Sequence, residues 1–377
     1  MKQCTRCIQT EAYPGIKFDE QGVCSLCHAF DRRWRGREAS ESEKNLQAIL
    51  SKARRLNPKY QAIVGLSGGK DSSYTAHLMV KRYKVNVLAL THDNGFLSDG
   101  ARKNIDLMVK KLGIEHRQMS LNPDLRKKMY QSLIKNRCTD LCMVCVSDML
   151  SSMNQLALKE GIPLIVWGLS PRTEPIFVSE VSCTMDWRYL LSATRPHLKR
   201  SDLGDLRYID LPWLFYVLIV RGIRHVMLPE YVPWHDRDIA EFLSREYGWV
   251  DYGDGSHHFD CSAYPAMEYF MYRRLGMTKT SELVSQLVRS GQLSRDDALV
   301  RMKTCETVSE PVESVKRFCS QVGVSRDEIQ PFLEGKTFDY HHFSGYTALL
   351  ERMSWVFWLT HKMGITTESF YEKYKRR

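Results

Sequence analysis

Ile63-Val-Gly-Leu-Ser-Gly-Gly-Lys-Asp-Ser-Ser73 decides how the rest of the chain is read. Residues 62–66 are apolar enough for a buried strand, and a Ser-Gly-Gly turn follows. Residues 72–82 then carry a helical pattern. Glycines let backbone N–H groups approach an anion closely, and a helix N-terminus adds unpaired donors and a positive dipole end. Ser67, Ser72 and Ser73 contribute hydroxyl donors, and Asp71 is placed to hold Mg²⁺ or to cap the helix. The segment Leu66, Ser67, Gly68, Gly69, Lys70, Asp71, Ser72, Ser73 is therefore expected to cradle phosphate.

Working outward, strand-like runs alternate with helical ones. Residues 85–91, 115–119 and 163–167 read as strands, and 99–112 and 140–160 as helices. That alternation predicts an α/β fold with a Rossmann-like parallel sheet covered on both faces. His92-Asp93-Asn94 and Trp167-Gly168-Leu169-Ser170 follow strands, at the carboxyl ends where open α/β sheets bind ligands. Four regions are expected: a cysteine module at 1–30, a helical linker at 31–57, the phosphate-loop domain at 58–172 and a mainly helical region at 173–377. The most apolar run, 211–220, contains Pro212 and is too short to cross a bilayer, so it is expected to be a buried helix or strand, with Trp213, Phe215 and Tyr216 in the core. Arg172, Glu174, His225, Glu230, His235 and Asp236 are polar candidates for lining a pocket.

Among 377 residues there are 11 cysteines, and the N-terminus has no apolar leader. An odd number without a secretory leader favours metal or thiol chemistry over disulfides and points to a soluble, cytoplasmic protein. Cys4-x-x-Cys7 and Cys24-x-x-Cys27 are two identical pairs, with turn residues Pro14-Gly15 and Gln21-Gly22 between them. Two such knuckles complete a tetrahedral site, with zinc favoured, iron the alternative and His28 a possible substitute ligand. A second group comprises Cys138, Cys142 and Cys145, with Cys261 following His257 and His258. The net charge of +10 suits anionic partners such as ATP, nucleotides, sugar nucleotides or RNA, although no RNA-binding signature is present.

Ser67-Gly-Gly-Lys-Asp-Ser72 resembles the SGGxDS signature of PP-loop ATP pyrophosphatases, the adenine nucleotide α-hydrolase-like superfamily. The resemblance implies binding of ATP and Mg²⁺, transfer of AMP to a carbonyl or amide oxygen, release of pyrophosphate, and displacement of AMP by nitrogen or sulfur. It implies further nucleotide contacts at His92, Asp93, Asn94 and Gly168. The paired Cys-x-x-Cys module before the loop, Pro233-Trp-His-Asp236 and the segment 290–298 resemble N-acetyl sugar amidotransferases. Cys142, Cys145 and Cys261 resemble instead the cysteines of PP-loop sulfur transferases, which carry a persulfide or a [4Fe-4S] cluster with one iron open. Cys138 is then a further sulfur carrier in a loop, and Asp140 caps a helix whose N-terminus lowers the pKa of a thiol. The expectation is an ATP-dependent sulfur transferase for a small molecule or nucleotide, such as a purine nucleotide. The alternatives are a sugar amidotransferase fed with ammonia by a glutaminase partner, a tRNA thiolation enzyme, or a non-catalytic zinc protein that binds nucleotide or RNA. A sulfur donor protein and a second copy of the chain are the other expected partners, with no membrane.

Overall fold

The computed structural model describes residues 2–35, 39–138, 140–169, 186–203, 211–252, 258–306, 309–335 and 342–363. Five parallel strands form one sheet in the order β3-β2-β1-β4-β5: β1 Ala62–Gly65, β2 Val87–His92, β3 Glu115–Met119, β4 Leu164–Trp167 and β5 Arg224–Met227. The reversal of direction beside β1 makes the switch point at which such sheets bind ligands.

The period-2 alternation of a strand explains why both faces are covered. Ala62, Val64, Val87, Ala89, Leu164 and Val166 enter one core, shared with the helices Ala39–Leu56, Asp99–Leu112 and Asp236–Tyr247. Ile63, Leu88, Leu90 and Ile165 enter the opposite core, with Met153, Leu156 and Ala157 of the helix Met143–Glu160. The expected Rossmann-like parallel sheet is thus the observed one.

A third core lies beyond the sheet. The helices Pro123–Lys135, Tyr264–Leu275, Val312–Val322 and Arg326–Glu334 meet there around Phe270, Phe318 and Phe332. The N-terminal module packs on the far helices: Ile8 joins Val284, Ala298 and Met302, and Ser285 Oγ donates to Gln9 Oε1 (3.1 Å).

Two expectations need correction. β5 comes from beyond residue 172, and the following helix Asp236–Tyr247 packs on the sheet, so the sheet layer does not end at the expected boundary. The apolar run that ends at Val220 is helical but lies at the surface, with Phe215 61% and Tyr216 40% exposed and Val217 its fully buried residue. It meets the sheet through one narrow face, which a ten-residue apolar run does not reveal. No described helix is long and apolar enough to cross a membrane.

Candidate active site and metal centre

β1 delivers the chain into the glycine turn. Gly68 has φ +82°, and a Cβ there would overlap the backbone of Ala101 (2.9 Å from its Cα), so only glycine fits. Its carbonyl is pinned by Trp249 Nε1 (3.0 Å) and Asn104 Nδ2 (3.1 Å). Ser72 Oγ accepts from Ser67 N (3.1 Å) and donates to Gly69 O (3.1 Å), bracing the loop from inside. Gly69 is the N-cap of the helix Lys70–His77 and offers no side-chain cap, so Asp71 sits in the first turn instead of capping. Asp71 Oδ1 accepts from Trp234 Nε1 (2.8 Å) and from Lys70 Nζ (2.7 Å), and Lys70 Nζ also reaches Asp236 Oδ1 (3.0 Å). Burial alone would lower the Lys70 ammonium, but Asp71 and Asp236 outweigh it and hold it above the usual range.

Three expected phosphate or nucleotide residues take other places. Leu66 is a core side chain. Ser73 is fully buried behind the loop, so its hydroxyl faces the interior. Gly168 is required by packing: a Cβ there would lie 2.5 Å from Thr75 Oγ1 and 2.6 Å from Asp71 O.

At the end of β2 the chain turns through Asx hydrogen bonds. Asp93 Oδ1 accepts from Gly95 N and Asn94 Oδ1 from Phe96 N, both at 2.8 Å. His92 and Asn94, expected at the nucleotide, are tied to sulfur. Asn94 Nδ2 lies 3.4 Å from Cys145 Sγ and 3.8 Å from Cys261 Sγ. His92 Nε2 meets Asp148 Oδ2 at 2.5 Å, and its Nδ1 lies 3.9 Å from Cys145 Sγ. Asp148 escaped the sequence reading. Its signal is helical spacing: it lies three residues after Cys145, on the same helix face.

Cys261 reaches this place through backbone pairing. Leu97 bridges Cys261, Ser98 N donates to Asp260 O (3.0 Å) and Ser262 N donates to Phe96 O (2.8 Å). Cys142 is the N-cap residue of the helix Met143–Glu160, and its own N–H donates to Asp140 Oδ1 (2.9 Å). Asp140 therefore binds the cap residue and not the first turn. Lys279 Nζ lies 3.6 Å from Asp140 Oδ1, and Lys279 lines one small cavity with Cys142.

The trio keeps some exposure to solvent in dense surroundings, and burial pushes all three thiols up, Cys261 to about 12. A lowered thiol is thus not what the helix N-terminus produces here. The neighbouring sulfurs raise Cys145 and Cys261 further, because a second thiolate beside a first is disfavoured.

Cys138 does not join the trio. It is buried in the third core, its Sγ 3.9 Å from Asn136 O, and desolvation raises its thiol to about 12. Of the other polar candidates, His225 is half-buried on β5 between Trp167 and Asn154, Glu230 pairs with Arg33 (3.4 Å), and His235 precedes the Asp236–Tyr247 helix without capping it. His258 Nδ1 lies 3.7 Å from Asp260 Oδ1. Ser170, Arg172, Glu174 and His257 fall outside the described residues.

The N-terminal quartet is the one group of three or more His, Cys, Asp or Glu ligand atoms that closes to within 4.8 Å among the described residues. Its sulfurs lie 3.9 Å apart for Cys4–Cys27, 3.7 Å for Cys7–Cys24 and 3.6 Å for Cys24–Cys27. A tetrahedron with metal–sulfur bonds of about 2.3 Å has edges of about 3.8 Å, so the four residues fit one ion. Backbone N–H groups of Cys7, Cys24 and Gln9 point at the sulfurs at 3.2–3.4 Å. Arg289, missed in the sequence, places Nη2 3.8 Å from Cys7 Sγ while pairing with buried Glu282 (3.0 Å). His28 pairs with Asp19 (2.7 Å) and stands outside the ligand set.

Residues 42–153 match the NAD synthase family model, and residues 251–356 match the model described as LPS biosynthesis protein WbpG-like, C-terminal domain. The chain therefore carries a NAD-synthase-like PP-loop domain of the kind found in ATP-dependent enzymes. It is 21% identical over 317 residues, 84% of this chain and 98% of the relative, to an uncharacterized protein of Methanocaldococcus jannaschii. Among solved structures it is similar to an NH3-dependent NAD synthetase from Campylobacter jejuni (16% identity, TM-score 0.29, 36% of this chain), of which it spans 58%, less than two thirds. It is also similar to a U34-tRNA thiolase from Methanococcus maripaludis with its [4Fe-4S] cluster (16% identity, TM-score 0.29, 69% of this chain and 78% of that one).

Proposed function

We propose that this chain, built on a NAD-synthase-like PP-loop domain, adenylates an oxygen of its acceptor and replaces it with sulfur. The observation that carries the reading is the meeting of Cys145 and Cys261 at Asn94, with Cys142 close enough to influence both, at the carboxyl end of β2. The loop amides and Lys70 hold the phosphates of ATP with Mg²⁺ and stabilise charge developing on pyrophosphate. His92, kept in one tautomer by Asp148, presents Nδ1 to the Cys145 thiol and can take up its proton. Cys142, Cys145 and Cys261 would hold a [4Fe-4S] cluster, which supplies an open iron for sulfur. In the protein-only version the outer sulfur of a persulfide on one of them displaces AMP. A second cysteine thiol then cleaves the resulting S–S bond to release the thiolated product, and the disulfide left between the two cysteines is reduced by an external thiol. AMP leaves carrying the original acceptor oxygen. We further read the quartet Cys4, Cys7, Cys24 and Cys27 as a closed zinc site. A small molecule or nucleotide is the favoured acceptor, a tRNA base the next, with a sulfur donor protein and a second copy of the chain as companions.

The test is an anaerobic absorption spectrum with iron, sulfide and zinc analysis of wild type and of Cys145→Ser and Cys261→Ser. Thiolate-ligated iron and sulfide lost in both variants, with zinc retained, is the expected result. Zinc alone in the wild type, together with full acceptor-dependent pyrophosphate release by both variants, would sink the sulfur reading.

A second reading rests on the match of residues 251–356 to the WbpG-like C-terminal domain. It makes the chain an amidotransferase that replaces the activated oxygen with ammonia supplied by a glutaminase. It predicts turnover with added ammonium and with all three cysteines replaced.

A further inference from the structure

The rim of the trio carries a cation that the adenylation step does not use. Arg126 lies in the first turn of the helix Pro123–Lys135, which Asn122 caps through Oδ1 to Asp124 N (3.0 Å) and Leu125 N (3.2 Å). A positive charge in a first turn opposes the helix dipole, so helix stability does not account for it. Its side chain is half-buried. Several cations of the surrounding elements have carboxylate partners: Arg102 has Asp93 (3.2 Å), Arg117 has Glu160 (2.6 Å), Lys128 has Asp202 (2.6 Å) and Lys279 has Asp140 (3.6 Å). The Arg126 guanidinium makes no ion pair or hydrogen bond among the described residues. Partial burial of a charge with no partner costs free energy that an incoming anion returns.

Its position is fixed by Gly95. That residue has φ +82°, and a Cβ there would overlap the guanidinium, 2.6 Å from Arg126 Cζ. Gly95 directly follows Asn94, whose amide bridges Cys145 and Cys261. The carboxylate of this turn is already engaged, since Asp93 Oδ1 takes Gly95 N (2.8 Å) and Oδ2 takes Arg102 (3.2 Å) and Gln118 (3.0 Å). The arginine also stands away from the nucleotide phosphates. The phosphate loop follows β1, whereas the Arg126 helix follows β3, two strands along, and the loop has its own cation in Lys70.

We propose that Arg126 binds an oxyanion of the acceptor, a phosphate or carboxylate, and so orients its reacting oxygen between the PP-loop and the cysteine trio. The planar fork of guanidinium donors matches both groups. Uncharged acceptors are therefore poor substrates. The inference rests on the adenylation reading of the site and holds whether sulfur or nitrogen is the incoming atom.

The test maps arginine modification by phenylglyoxal in the full-length, metal-replete protein, saturated with a non-hydrolysable ATP analogue. Inorganic phosphate and acetate are added in separate arms. The expected result is slower modification of Arg126 in one arm, about twofold at half-saturation of the site. Phosphate protection identifies a phosphorylated acceptor and acetate protection a carboxylate. Arg126→Gln is expected to keep the affinity for the ATP analogue, and Arg126→Lys to recover part of the anion affinity measured by titration with the protecting anion. Protection by the analogue alone, with nothing added by either anion, would place Arg126 in the nucleotide site and overturn the proposal. No protection under any condition overturns it as well. Failure of the wild type to bind the analogue would instead remove the adenylation reading, so the two failures are distinguishable.

Discussion

The two cysteine sets differ in what surrounds the sulfur. The quartet is fully buried, the sulfurs of Cys4–Cys27, Cys7–Cys24 and Cys24–Cys27 lie 3.6 to 3.9 Å apart, and backbone N–H groups point into it. The trio is partly exposed, stands wider than the ligand set of one ion, and is contacted by side chains: Asn94, His92 and Lys279. Backbone donors fix the geometry of a centre that never changes. Side-chain partners and an open approach leave sulfur able to react. On the proposed reading the quartet serves folding and the trio chemistry, and what separates the two sets is their surroundings.

The most forceful way to break the comparison is to remove one sulfur from each set. Cys7→Ser should abolish metal binding at the N-terminal module and unfold it together with its contacts to the helices Lys279–Arg289 and Arg295–Glu306. A structural ion of this kind supplies on the order of 10 kcal/mol, so little soluble protein is expected. Cys145→Ser should fold with nearly the wild-type melting temperature and lose the chemistry. Calorimetry on both variants reads the contrast, and equal melting temperatures would dissolve it.

The buried pair behind the quartet comes next. Arg289 and Glu282 are both nearly inaccessible and lie 3.0 Å apart. Arg289→Met leaves the carboxylate without its partner, for a cost of about 3–5 kcal/mol in urea unfolding. Adding Glu282→Leu should restore most of that loss. If the single variant costs nothing, the quartet is not supported from the helical side.

What the sequence disclosed follows the range of the interactions. The phosphate loop and four strands were legible because an apolar run, a glycine turn and a helix onset are local. β5 was not, because Arg224–Met227 is short and half polar and becomes a strand only by pairing with β4. The quartet was legible through its repeated spacing. The trio was legible as a list of cysteines, but the route of Cys261 depends on pairing with residues 96–98, more than 160 positions away. The same long range hid Lys279 and Arg289. Cys138 was misread because its neighbours in sequence are cysteines, whereas its neighbours in space are core side chains.

Acid provides a third, smaller separation. His225 accepts from Trp167 Nε1 (3.0 Å) at Nδ1 and faces Asn154 Oδ1 (3.1 Å) at Nε2, and burial lowers its pKa from 6.5 to about 4. Above pH 6.5 both folded and unfolded states hold it neutral, and its full contribution is present. As pH falls from 6.5 towards 4 the unfolded state gains a proton that the folded state refuses, and about 3 kcal/mol is lost. His225→Gln should flatten that part of the stability profile. Release on acidification of any metal that the cysteine sets carry then becomes readable without sheet unfolding, and an unchanged slope would show that His225 is not the source of the acid loss.

The smallest effect tests how Cys261 is held. Ser98 Oγ accepts from Ala101 N (3.1 Å) and caps the helix Asp99–Leu112, so Ser98→Ala should cost about 1 kcal/mol. The bonds that carry the Cys261 segment to the trio, Ser98 N to Asp260 O and Ser262 N to Phe96 O, are both backbone and survive the substitution. The variant should therefore melt slightly earlier and keep whatever iron, sulfide or reactive sulfur the trio carries in the wild type. If the trio loses its content along with the cap, the hydroxyl holds the segment and the backbone ladder does not. The reactive set would then depend on one side chain at the place where the quartet relies on its amides.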